Sequence, residues 1–127
     1  MPDPAHSRQV LIVEDEDNIA LALGWLLTRE GYRHNRVATG PEALPAARAS
    51  HPDLVLLDVM LPGRSGYDIC RDLRADPALA TTRILMMTAR GSALEQKRGL
   101  DHGADGFIAK PFDLSELRTE LSRLLSR

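Results

Sequence analysis

Short apolar runs alternate along the chain with stretches of helical periodicity, the pattern of a parallel sheet covered on both faces. Val10-Leu11-Ile12-Val13 is continuous and rich in β-branched residues, as a doubly buried strand should be, and it stops at Glu14-Asp15. Ile19, Ala22, Leu23, Leu26 and Leu27 then recur at the spacings of a single helix stripe, and Gly31 ends it. Residues 32–38 predict a second, weaker strand. Thr39 and Glu42 stand at capping-box spacing before a second helix. Pro45 lacks the N–H that an interior helical position needs, so that helix is expected to start late, kink or be poorly ordered.

The third strand is expected over residues 53–58, with Leu54, Val55, Leu56 and Leu57 as its core. Gly63, Ser65 and Gly66 lead into a third helix carrying Ile69, Cys70 and Leu73. A fourth strand spans residues 84–88, a further helix ends near Gly103, and a fifth strand covers residues 107–109. The last helix shows Leu114, Leu117, Leu121 and Leu124 at spacings of three and four, opened by a cap at Asp113. Five strands and five helices in strict alternation, joined by right-handed crossovers, predict an α/β fold: a doubly wound, flavodoxin-like parallel sheet of order 2-1-3-4-5.

Length and composition narrow the picture. The 127 residues suit one domain spanning 1–127, long enough to bury roughly two-thirds of its unfolded surface without a staple. One cysteine, Cys70, excludes an intrachain disulfide, and with no secretory leader or long apolar span the chain is expected in the cytoplasm. Sixteen basic against eighteen acidic residues give a net charge of -2, so no nucleic-acid or membrane-binding surface is indicated. The four histidines are scattered without ligand spacing, Met86-Met87 suits core filling, and Trp25 falls on the first helix.

Sites in open α/β sheets form beyond the carboxyl ends of the strands. Here those ends carry Glu14 and Asp15, Asp58, Thr88 and Lys110, each polar after an apolar run. Carboxylates crowded together repel, and desolvation raises the cost. Mg²⁺ resolves the conflict, because it prefers oxygen ligands and often shares its shell with phosphate. Asp15 and Asp58 are expected to ligate directly, Glu14 directly or through water, and a backbone carbonyl after Asp58 to add an oxygen. An Asp carboxylate also serves as a nucleophile forming aspartyl-phosphate. Phosphoryl transfer then needs charge neutralised on the equatorial oxygens, for which Lys110, Thr88 and a nearby backbone N–H are available.

The segments VLIVEDE (10–16), LVLLDVMLPGRSG (54–66), LMMTAR (85–90) and GADGFIAKPF (103–112) resemble the signature blocks of the CheY-like receiver family. The resemblance implies a response-regulator receiver that takes phosphate onto Asp58 from a phosphohistidine of a sensor histidine kinase or a histidine phosphotransfer protein. It implies Mg²⁺ held by Glu14, Asp15, Asp58 and the Met60 backbone carbonyl, and a phosphoryl site made by Thr88, the Ala89 backbone N–H and Lys110. It further implies a switch in which Thr88 moves inward and Phe107 repacks, altering the face of the helix ending near Gly103, the fifth strand and the last helix toward an unidentified output domain or partner. Lys110-Pro111 resembles the family's Lys-Pro pair, commonly cis.

Some features depart from that pattern. Phe107 lacks the hydroxyl of the usual tyrosine, and packing alone is a competing role for it. Met60 and Arg90 border the path of an attacking water, which predicts slow self-dephosphorylation. Regulators with winged-helix output domains dimerise through charge pairs, of which Arg98 and Glu116 are retained, whereas Gly106 and Glu120 replace an expected acid and arginine. A haloacid-dehalogenase-type phosphohydrolase is the enzyme alternative, but Met60 holds the place of its general acid, so the chain is expected not to be an enzyme beyond its own phosphorylation and dephosphorylation. An interaction module with degenerate chemistry is the other alternative, and the intact acids, Thr88 and Lys110 argue against it. Dinucleotide binding is disfavoured, because Glu14-Asp15-Glu16 stands where a glycine fingerprint would be.

Overall fold

The computed structural model describes residues 8–88, 97 and 101–125. Five parallel strands form one sheet in the order β2-β1-β3-β4-β5, as the alternating pattern predicts. They are β1 (Gln9–Val13), β2 (Arg33–Val37), β3 (Leu54–Asp58), β4 (Arg83–Thr88) and β5 (Gly106–Ala109). Four helices are described in full: α1 (Asp17–Arg29), α2 (Ala43–Ser50), α3 (Gly66–Ala75) and α4 (Leu114–Leu125). The helix expected to end near Gly103 falls mostly outside the described residues, although Lys97 and Asp101 within it are helical.

The strands alternate their side chains between two cores, as a pleated backbone must. Val10, Ile12, Leu54, Leu56, Leu85 and Met87 face α1 and α4, where Leu23, Leu27, Leu117 and Leu121 meet them. Leu11, Val13, Val55, Leu57, Ile84 and Met86 face α2 and α3, against Ala47, Ile69 and Leu73. With both faces covered, β1, β3 and β4 need the continuous apolar runs seen in the sequence. β2 is an edge strand and stays half exposed, which accounts for its weak signal.

Two helix stripes differ from the sequence expectation. In α1 the buried positions include Ala20, and Ala22 is exposed, because the face toward the sheet is centred on Leu23 and Leu27. In α4 Leu114 is 40% exposed, as the first residue of the helix and ahead of the stripe that meets the sheet. The second helix does start late. A 3₁₀ turn over Gly40–Glu42 precedes α2, which leaves Pro45 in the first helical turn, where its missing N–H has no helical partner to lose. Thr39 and Glu42 bond through their side chains (Oγ1 to Oε1, 2.7 Å) and not through the backbone amides of a capping box. Gly31 has φ +85°, a left-handed stop after α1. Cys70 is fully buried, donates to the His102 carbonyl at 3.2 Å, and burial pushes its thiol up to about 11. No described helix is long and apolar enough to cross a membrane.

Candidate functional site

The polar residues that follow the apolar runs converge at one edge of the sheet. Glu14, just beyond β1, donates its N–H to the Val37 carbonyl at 3.1 Å and has no solvent exposure. Its Oε1 accepts from Lys110 Nζ at 2.6 Å and its Oε2 from the Glu16 N–H at 3.0 Å. Asp58 ends β3 and is 4% exposed. Its Oδ2 accepts from Lys110 Nζ at 3.0 Å, and its Oδ1 from the Met60 N–H at 3.1 Å. Asp15 is exposed, yet the carboxylates of Glu14, Asp15 and Asp58 bring ligand oxygens within 4.8 Å of one another.

The loop after Asp58 is closed by backbone bonds. Val59 donates to the Met87 carbonyl at 3.1 Å, and Gly66 donates back to the Val59 carbonyl at 2.9 Å. A Cβ on Gly66 would lie 2.3 Å from the Asp58 carbonyl oxygen, so only glycine permits α3 to begin so near the strand end. Ser65 caps α3 by accepting from the Asp68 N–H at 3.3 Å. On the other side, Lys110 donates its backbone N–H to the Thr88 carbonyl at 2.6 Å, and the Lys110-Pro111 peptide is cis, as the resemblance implies.

Burial holds the Glu14 carboxyl above the usual carboxylate range, and neighbouring Asp58 adds to this against the lowering bonds from Lys110 and Glu16. Burial also works against the Lys110 charge, but its hydrogen bonds to Glu14 and Asp58 outweigh that, and the ammonium is held above its ordinary value. The Thr88 hydroxyl is buried and has no hydrogen-bond partner among the described residues. An orphaned buried hydroxyl is costly, and a phosphoryl oxygen would satisfy it. Three carboxylates drawn together make a hard oxygen donor set of the kind Mg²⁺ takes. The residues present therefore fit both ions.

The sequence-derived residues are brought together at Glu14, Asp15, Asp58, Thr88 and Lys110. Ala89, Arg90 and Arg98 lie outside the described residues. Met60 is 72% exposed, and its N–H donates to the Asp58 carboxylate, a contact the sequence did not indicate. Phe107 is half-buried and packs against the core on the α2–α3 face. Glu120 pairs with Arg123 at 2.7 Å, close over the position where a Cβ on Gly106 would meet Arg123 Nη2 at 2.8 Å. The missing side chain at Gly106 makes room for this ion pair. Two further contacts had no sequence signal: the direct bond between Lys110 and Glu14, and Arg36 on β2 donating to the Glu14 carbonyl at 2.9 Å. Both join residues far apart in the chain that belong to no shared periodicity.

Comparison with known proteins agrees with this geometry. The model of the response regulator receiver domain matches residues 10–122. The chain is 43% identical over 118 residues to the sensory transduction protein RegX3 of Mycolicibacterium smegmatis, covering 93% of this chain and 50% of that protein. It is 40% identical over 119 residues to the response regulator ArlR of Staphylococcus aureus, covering 94% of this chain and 53% of that protein. The chain thus spans about half the length of the curated relatives it matches. A crystal structure of a putative response regulator from Chloroflexus aurantiacus superposes with a TM-score of 0.90 at 38% identity, over 95% of this chain and 99% of that one. The receiver domain of a sensor histidine kinase from Pseudomonas aeruginosa, solved with magnesium coordinated in its active-site cleft, gives 0.87 at 30% identity, over 95% and 99%. With the family's pattern matched over residues 10–122 and its fold shared with solved receivers, the chain belongs to the response regulator receiver domains of two-component signalling.

Proposed function

We propose that Asp58 accepts a phosphoryl group from a phosphohistidine of a sensor histidine kinase or histidine phosphotransfer protein. A carboxylate oxygen of Asp58 attacks phosphorus, the P–N bond breaks, and the imidazole leaves. Glu14, Asp15, Asp58 and the Met60 carbonyl would hold Mg²⁺. The chemistry that the bound cation supplies is neutralisation of the carboxylates and of one phosphoryl oxygen. Lys110, placed between Glu14 and Asp58, takes a second oxygen and so exchanges a carboxylate partner for phosphate. The Thr88 hydroxyl, with the Ala89 N–H, serves the third.

The observation that carries this reading is the carboxylate cluster of Glu14, Asp15 and Asp58, with Glu14 and Asp58 bridged by Lys110, whose backbone N–H binds the carbonyl of Thr88, a buried residue whose hydroxyl has no partner among the described residues. Movement of Thr88 and repacking of Phe107 then alter the face of β5, α4 and the helix before them, which controls an output domain or partner protein. The unit 1–127 acts as one receiver in the cytoplasm, a phosphoacceptor and not a turnover enzyme. Incubation with acetyl phosphate should add one phosphate in the presence of Mg²⁺, none after chelation, and none in Asp58→Asn. Multiple turnover of a small phosphate monoester would instead support the phosphohydrolase alternative.

A further inference from the structure

Asp15 is the exposed member of the carboxylate cluster, and among the described residues its side chain has no hydrogen-bond or ion-pair partner that fixes it there. Its position depends on the loop between β1 and α1. Arg36, on the edge strand β2, spans that loop from outside: Nε donates to the Glu14 carbonyl at 2.9 Å and Nη1 to Asp17 Oδ1 at 2.9 Å. The guanidinium thus grips the residue before Asp15 and the first residue of α1. The Glu14 N–H is already held by the Val37 carbonyl, the next residue of the same strand. β2 therefore fixes both sides of the Glu14 backbone.

We infer that Arg36 is a positioning residue for metal binding, which brackets the loop so that Asp15 stays within reach of Glu14 and Asp58. The inference rests on the proposed Mg²⁺ site. It does not rest on charge, because the Arg36 cation is matched by Asp17 and the pair is locally neutral. A planar guanidinium supplies two donors in fixed geometry, which an ammonium does not. Partners that orient metal ligands from outside typically contribute a factor of ten or more to affinity.

Mg²⁺ titration by calorimetry on wild type, Arg36→Met and Arg36→Lys tests this, together with amide hydrogen exchange on the metal-free proteins. Both variants should bind Mg²⁺ roughly tenfold more weakly, with faster exchange at Glu16 and Asp17 and unchanged exchange in α3 and β4. A purely electrostatic role would make Arg36→Met bind more tightly than wild type and Arg36→Lys bind like wild type, and either result overturns the bracket. So does unaltered exchange at residues 16 and 17. Failure of wild type itself to bind Mg²⁺ would strike the underlying site reading, and the inference falls with it.

Discussion

Glu14 places a carboxylate where no solvent reaches, and Lys110 is the group that compensates it. The ammonium is shared with Asp58, so removing it leaves two enclosed acids without a cationic side chain among the described residues. Breaking a buried pair from one side costs several kcal/mol, discounted here because Lys110 keeps 18% of its side chain exposed. Lys110→Met should lower metal-free stability by about 2 kcal/mol, with Mg²⁺ restoring part of the loss, as followed by urea unfolding. Unchanged stability would show that Glu14 is protonated or solvated in the folded state. Thr88→Val makes the opposite case. Its hydroxyl has no partner among the described residues, so near-isosteric removal should leave metal-free stability equal or higher by up to about 1 kcal/mol. The rate of labelling by acetyl phosphate should fall in the same variant. Together these outcomes would mark Thr88 as a residue kept for the phosphorylated state.

At the scale of elements, the loops carry the chemistry and the caps hold the loops. Gly66→Ala would drive a Cβ to 2.3 Å from the Asp58 oxygen and 2.7 Å from Val59 Cα, both backbone atoms. Overpacking of this kind costs about 1–3 kcal/mol, and the strained loop should also slow phosphorylation; wild-type values for both would contradict the closed loop. Asp76 caps a 3₁₀ turn over Pro77–Leu79 after α3, and its bond from Arg48, with one from the Ala78 N–H, holds its carboxyl below the usual range. Asp113 caps α4, and the Glu116 N–H with the Ser115 hydroxyl does the same. A depressed folded pKa contributes stability that is present above the ordinary carboxylate value and lost as pH falls through the folded one. Asp76→Asn/Asp113→Asn should therefore flatten the acid limb of a melting-temperature profile below about pH 4. An acid limb as steep as that of wild type would rule these caps out as its source. The Asp113 cap was legible because its role is local. The α1 stripe was shifted at Ala22 and Ala20, since alanine patterns do not say which face a sheet will claim.

The whole molecule is polarised by its topology: parallel strands end together, so residues adjacent to strand ends in sequence become neighbours in space. That is why the sheet order, and the meeting of Glu14, Asp15, Asp58 and Lys110 at one edge, could be read from apolar runs and the polar residues after them. Contacts across the sheet could not, because the Lys110–Glu14 bond joins positions 96 apart and the Arg36 bracket belongs to an edge strand with a weak pattern. The Glu120–Arg123 pair over Gly106 was likewise invisible, since it depends on space that only the packed fold defines. If crowded carboxylates are reconciled by a cation so that one of them can carry phosphate, labelling must need the metal and fall on Asp58. Fragment mass spectrometry after acetyl phosphate treatment, with Mg²⁺ and with chelator, tests it most directly. Phosphate is expected on the peptide containing Asp58 in Mg²⁺, and an unlabelled protein in chelator. Equal labelling without the metal, or phosphate carried elsewhere in the chain, would contradict it.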